Sequence, residues 1–272
     1  MRKTPKVFVA GALRRSESGR SYDVRSAGGE WLANAPRASR KDVRDAVAAA
    51  RKAGSLWAGA TALNRGQVLY RIAEMLEARR DEFAREVVLA EGDDAAVQVD
   101  EAIDVLVWYA GWTDKLAQIA GNANPVAGPY FNLTVPEPIG VAGIVVASRP
   151  SLNGLVSRLA PALCAANTVV VLASEAHPLP ALSFSECLAT ADVPPGVVNI
   201  LSGHAHELVP VLAGHLDVDA IDVTGVEQDA LEEVERLAAG NVKRVIRAAG
   251  GASPYEALAF TEYKTVWHPK GP

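Results

Sequence analysis

From Gly140 onward, short β-rich apolar runs alternate with stretches of helical character. The runs are 141–147, 168–173, 197–201, 220–223 and 242–247, and between them lie 152–165, 180–190, 206–213 and 227–239. Strands that are apolar along their whole length have to be buried on both faces. A regular strand–helix alternation supplies the crossovers that parallel pairing needs. The pattern therefore predicts an α/β fold built on a doubly wound parallel sheet. Such sheets bind ligands beyond the carboxyl ends of their strands.

The first half has a different texture. Residues 7–11 read as a short strand and turn. Ser39 with Asp42 resembles a capping box for a helix over 41–52, with Asp in place of the usual Glu. Apolar residues at helical spacing predict two longer helices, 65–89 and 98–120, the first stopped by Gly92. Residues 121–125 form a polar break, and 130–135 read as an extended segment. After the Gly250-Gly251 pair, residues 257–267 read as one strand with no helix following it.

Composition excludes several classes of function. The chain has 272 residues, 49% of them hydrophobic, and a formal net charge of -5. No Lys/Arg-rich run gives a footprint for nucleic acid. The apolar stretch 7–13 is too short for a signal core, and no run approaches a membrane span. A cytoplasmic location is expected. Two cysteines are too few for a disulfide scaffold, and Cys164 and Cys187 sit in apolar helical patterns as inert core thiols. His204 and His206 lack a companion set at metal-ligand spacing and read as a surface turn.

Several short motifs then line up. They include Glu137-Pro138-Ile139-Gly140-Val141, Leu159-Ala160-Pro161-Ala162-Leu163, Asn167-Thr168-Val169-Val170 and Pro194-Pro195-Gly196-Val197-Val198-Asn199. Thr224-Gly225, Gly240-Asn241-Val242-Lys243-Arg244-Val245 and Gly250-Gly251 complete the series. Each alone is weak, but in this order over residues 7–254 they resemble the coenzyme half of the aldehyde dehydrogenases. Residues 261–267 resemble that family's extreme C-terminus. The stretch the family places between these blocks, which carries its catalytic domain, is absent. The resemblance implies a coenzyme-type domain over 1–253, with an extended oligomerisation segment near 122–137, and a C-terminal oligomerisation strand over 254–272.

The resemblance also says what the site lacks. Family members attack the aldehyde with a cysteine thiolate, and here the segment bearing it is missing. Ala248 matches the proton-handling Glu, and Ala252 matches the Lys after Gly-Gly. Arg149 matches the oxyanion-stabilising Asn, and it is too long to keep the aimed geometry. Leu172 matches the Lys that reaches the coenzyme ribose, Val226 the Ser at the pyrophosphate, and Ala205 and Ala230 two glycines. What remains of a coenzyme site is Glu175, Ser174 and Gly225. Acidic Glu227, Asp229, Glu232 and Glu233 crowd the next helix start. They either repel a phosphate or form a solvated helix face. No bound cofactor is expected, with NAD(P) as the alternative.

The resulting expectation is a non-catalytic subunit that pairs with a full-length aldehyde dehydrogenase. The alternatives are an enzyme with residual NAD(P) binding, or a homomeric scaffold reached by self-association. The terminal strand, if unpaired, would need a partner's sheet.

Overall fold

The computed structural model describes residues 4–271. The chain opens with a hairpin of β1 (Val7–Val9) and β2 (Ala12–Arg14), then a two-stranded flap of β3 (Ser21–Arg25) and β4 (Trp31–Pro36). Helices α1 (Arg40–Gly59), α2 (Ala62–Glu77), α3 (Arg80–Glu91), α4 (Val97–Ala110) and α5 (Leu116–Ala120) follow. Two strands of an arm come next, β5 (Asn122–Ala123) and β6 (Tyr130–Pro138). The alternating half contributes β7 (Val141–Val145), α6 (Ser151–Cys164), β8 (Thr168–Leu172), α7 (Leu179–Thr190) and β9 (Val198–Leu201). It continues with α8 (Ala205–Ala213), β10 (Ala220–Asp222), α9 (Leu231–Ala238) and β11 (Arg244–Ile246). A short α10 (Pro254–Leu258) leads into β12 (Thr261–Pro269).

The predicted doubly wound sheet is present. The strand order is β11-β10-β7-β8-β9-β1-β2, and the five strands from β11 to β9 are parallel. The order reverses at β7, which pairs with β8 on one side and β10 on the other. The sheet is not purely parallel, because the β1–β2 hairpin extends it antiparallel to β9. Adjacent residues of a buried strand face opposite layers. Val169 and Val171 of β8 accordingly pack with α2, α4, α6 and α7, while Val170 and Leu172 pack with α1, α8 and α9. Among the described residues no helix is long and apolar enough to cross a membrane.

Local signals were accurate where the chemistry is local. Ser39 and Asp42 form the capping box reciprocally, and Asp42 also accepts from Ser16 Oγ at 2.8 Å and from the Glu17 amide at 3.1 Å. Three expectations need correction. The helix expected over 65–89 is two helices. Arg79, with φ -115°, breaks the run and pairs with Glu82 and Glu186, each at 2.9 Å. The helix expected over 98–120 likewise ends at Ala110 and restarts at Leu116.

The third correction concerns the tail. Residues 257–260 are not strand: α10 ends at Leu258, and Ala257 and Phe260 are fully buried in the body. Nor is the strand unpaired, since β12 runs antiparallel to β6 of the same chain through nine residue pairs, Thr261↔Pro138 to Pro269↔Tyr130. Backbone pairing of this arm is internal because β6, with β5 on one edge, leaves its other edge open where the tail arrives. Most of the side chains of the arm nevertheless remain exposed.

The root of the arm is held by a buried ionic cluster. Arg158 on α6 donates from Nε to Asp222 Oδ2 at 2.6 Å and from Nη1 to Glu256 Oε2. All three side chains are at most 5% exposed. Glu256 also accepts from the Ala249 amide at 2.7 Å, and the guanidinium lies 5.8 Å from the Phe260 ring centroid. Residues 254–261 are therefore continuous with the body, and the exposed part of the tail begins after Thr261.

Candidate functional site

The reversal of strand order at β7 opens a cleft of about 910 Å³ at the carboxyl ends of β7 and β8 and in the loop after β10. This is where an open α/β sheet places a ligand. Val145, Val146, Leu172 and Val226 give it an apolar floor, and Tyr22 of the β3–β4 flap and His204 form one lip. Gly225 can only be glycine here. A Cβ would stand 2.2 Å from the Val146 carbonyl carbon and 2.3 Å from the Ala147 nitrogen, so the loop after β10 is pressed against the end of β7. Its amide donates to Val145 O.

The three residues read from the sequence as remnants of a coenzyme site are differently placed. Glu175 and Gly225 line the cleft, whereas Ser174 lies beneath it, 1% exposed. Ser174 Oγ donates to Ser148 O at 3.1 Å and accepts from the His177 amide at 3.1 Å, which sets the turn after β8. Glu175 is already engaged on both oxygens. Oε1 is 2.7 Å from His204 Nδ1, and Oε2 accepts from the Ala205 amide at 2.7 Å. Burial alone would raise this carboxyl, but the Ala205 amide and His204 together hold it below the ordinary range. The first amide of α8 is thereby covered by a carboxylate from the same chain, which leaves it unavailable to an anion.

The His204 contact was not legible in sequence, because the two residues are 29 apart and neither sits in a periodic run. His204 also lies against Tyr22 (ring centroids 5.2 Å) and His206 (5.6 Å). Burial, with the charge of Glu175 second, pushes the Tyr22 hydroxyl above its usual range. Among the described residues no group of three or more His, Cys, Asp or Glu could hold a metal ion.

Leu172 is buried in the cleft floor, 4% exposed, where it packs with Val145, Val170 and Leu208. Glu227 and Asp229 lie on the wall before α9, which begins after a 3-10 turn without a side-chain cap. The helix expected over 227–239 is thus shorter than its acidic start suggests. Arg149 is exposed at the end of the loop after β7. Beside it, the amino end of α6 is sealed. Glu91 Oε1 accepts from the Ser151 amide at 2.9 Å, and Gln98 Oε1 accepts from the Leu152 amide at 3.1 Å. Both are buried, and Gln98 Nε2 donates to Glu91 at 3.0 Å.

Neither thiol reaches the cleft. Cys164 and Cys187 are buried, 1% exposed each, on helices against the opposite face of the sheet. Burial pushes their thiols up to about 12 and about 11, so neither is a nucleophile near neutral pH.

The aldehyde dehydrogenase family model matches residues 14–266. Mouse retinal dehydrogenase 2 is 36% identical over 260 residues, covering 93% of this chain and 50% of that protein. The crystal structure of HpcC from Thermus thermophilus superposes with a TM-score of 0.86 at 32% identity, over 92% of this chain and 48% of that one. The NAD+ complex of an aldehyde dehydrogenase from Bacillus cereus does so with a TM-score of 0.83 at 28% identity, over 92% and 51%. The chain spans about half the length of these relatives.

Proposed function

This chain belongs to the aldehyde dehydrogenase family, and from that premise we propose that it is a non-catalytic subunit that binds a full-length member of the family and stabilises or regulates it. The observation that carries this reading is the arm. β6 and β12 are paired with each other, yet Tyr130, Phe131, Tyr263, Val266 and Trp267 are all at least 42% exposed. In an antiparallel pair Tyr130 opposes Pro269, and Tyr130 packs edge-on against Trp267 at 5.9 Å, so aromatic surface is concentrated at the distal end. Leu133 and Val266 oppose each other on the other face. A ribbon with apolar groups on both faces is suited to burial between other elements, and exposed apolar concentrations of this kind mark interaction sites. The outer edge of β12 is also free among the described residues, a geometry that accepts another strand.

The chemistry of the cleft supports the non-catalytic half of the reading. NAD(P) is the family coenzyme, and the residues present fit it poorly. The Glu175 carboxylate is occupied by His204 and Ala205, Leu172 and Val226 are apolar, and two carboxylates stand on the cleft wall. Losing a hydrogen bond to a charged group costs about 1.5–3 kcal/mol, and two such losses bring a modest affinity to the millimolar range or weaker. Alone, the chain is expected to reduce no NAD(P) with simple aldehydes. A steady turnover abolished by Cys164→Ala or Cys187→Ala would refute this.

The assembly is tested by co-purification with a full-length paralogue, comparing the intact chain with one lacking residues 262–272. That cut spares the buried residues Ala257, Phe260 and Thr261. The complex is expected with the intact chain and lost with the shortened one. Unchanged association after the cut would show that the arm is not the joint. No association at all would overturn the partner reading, and a homogeneous oligomer of the chain alone would replace it with a homomeric scaffold.

A further inference from the structure

We propose that a basic pocket between the turn before β3 and the start of α1 binds the phosphate monoester of a small polar molecule. The proposal does not depend on the assembly reading, and the pocket meets the cleft at the sheet reversal only at Leu208. The chain carries a net charge of -5, yet three arginines from two separate segments, Arg20, Arg37 and Arg40, line one cavity of about 360 Å³. Among the described residues the one acid on its wall is Glu207. That acid is taken up by a single guanidinium: Arg37 Nε donates to Glu207 Oε2 at 3.2 Å, and Arg37 Nη2 donates to Oε1. The side chains of Arg20 and Arg40 enter no hydrogen bond or ion pair among the described residues, so two permanent positive charges stand uncompensated at the cavity.

These charges rise from a backbone that is tied in place. The Arg37 amide donates to Arg20 O at 3.0 Å, which holds the two arginines side by side. Arg37 O accepts from Ser18 Oγ at 2.7 Å and from Ser16 Oγ at 3.0 Å, and the Ala38 amide donates to Ser202 O at 2.8 Å. Arg40 begins α1, but the capping box of Ser39 and Asp42 already serves that helix end. The attraction for an anion therefore comes from the guanidinium groups and not from helix amides. Like charges gathered at one concavity repel one another and focus a positive field there, and a bound anion relieves both. A guanidinium presents paired donors that match two phosphate oxygens. A phosphate monoester carries about two negative charges near neutral pH, the number left open by Arg20 and Arg40. Ser18 and Ser39 make the rest of the wall largely polar, which suits a hydroxylated body such as a sugar.

The test is isothermal titration calorimetry on the full chain with ribose 5-phosphate, ribose, inorganic phosphate and a phosphoserine peptide. Ribose 5-phosphate is expected to bind saturably and more tightly than the other three, with an affinity that falls as salt is raised. Arg20→Gln and Arg40→Gln are each expected to weaken it about tenfold, the usual effect of losing a hydrogen bond to a charged group. Arg44→Gln is the control for diffuse surface charge. Arg44 lies one turn further along α1, outside the pocket, and its loss should leave binding unchanged. All three positions are exposed, so the variants keep their fold, which unchanged melting temperatures verify. The proposal is overturned if ribose 5-phosphate gives no saturable heat, or if Arg44→Gln weakens binding as much as Arg40→Gln. Inorganic phosphate or the phosphoserine peptide binding as tightly as ribose 5-phosphate would overturn it as well, the second by assigning the pocket to a protein partner.

Discussion

Replacing Arg158 with methionine tests how the chain holds the arm of β6 and β12. The side chain is 5% exposed and bonds two carboxylates, Asp222 (0%) and Glu256 (4%), that stand 34 residues apart in sequence. Methionine fills much of the volume but removes the charge, leaving both acids buried without their cation. Among the described residues, Asp222 keeps two donors, the Thr224 amide at 3.0 Å and the Thr224 hydroxyl at 2.5 Å, and Glu256 keeps only the Ala249 amide. Breaking a buried pair by removing one member costs about 3–5 kcal/mol, because the cost lies in the charge left behind. The upper part of that range is expected here, since two acids lose the same partner. Against a typical total stability of about 5–15 kcal/mol, the change is large. Arg158 also brings a buried Nη2 that has no protein partner, so the intact cluster is not a large net stabiliser. Adding Glu256→Gln to Arg158→Met should therefore recover part of the loss, by removing one orphaned charge. Urea unfolding followed by circular dichroism measures both variants. A loss below about 1 kcal/mol for Arg158→Met, or additive losses in the double variant, would refute the reasoning.

Other consequences can be checked in the same way. Gly225→Ala places a methyl against backbone atoms of Val146 and Ala147 and should cost about 3 kcal/mol, the upper end of ordinary overpacking; a melting temperature unchanged from the parent would show that the loop can retreat. Burial pushes the Glu86 carboxyl up to about 7, despite the Ser183 hydroxyl that donates to it at 2.9 Å. The folded state then binds more protons than the unfolded one between about 4.5 and about 7, so this group makes stability fall as pH rises through that window. Glu86→Gln should flatten that part of the stability–pH curve, and an unaltered slope would refute the assignment. Finally, Cys164 and Cys187 should react with a disulfide reagent only after denaturation, whereas rapid modification of the native chain would contradict their burial.

The parts of this fold that sequence reveals are those fixed by short-range chemistry. Fully apolar strands such as Thr168–Leu172 announce a two-sided sheet, and Ser39 with Asp42 announces a helix start. The break at Arg79 carries no glycine or proline. Its guanidinium pairs with Glu82, three residues on, and with Glu186, more than 100 residues away, and the second pairing is one that no local pattern encodes. The same holds for the site. Gly225 stands out as a glycine in a turn after a strand, but that Glu175 would be drawn to His204 and Ala205 depends on how α8 meets the end of β8. The pairing of the tail with β6 was likewise hidden, because alternation in residues 261–267 identifies a strand without naming its neighbour.

The first hairpin has a consequence for how the molecule is made. β1 enters the large sheet only beside β9, and the Ala10 amide bonds Asn199 Oδ1 across 189 residues. On a ribosome adding about 5–20 residues per second, that partner emerges roughly 10–40 s after the hairpin. During this interval Val7, Phe8 and Val9, all buried in the finished protein, have no sheet to join. Non-local pairing of this kind slows folding and prolongs exposure of sticky segments. The nascent chain is therefore expected to engage holding chaperones through the β1–β2 hairpin, and to release them once β9 has been synthesised.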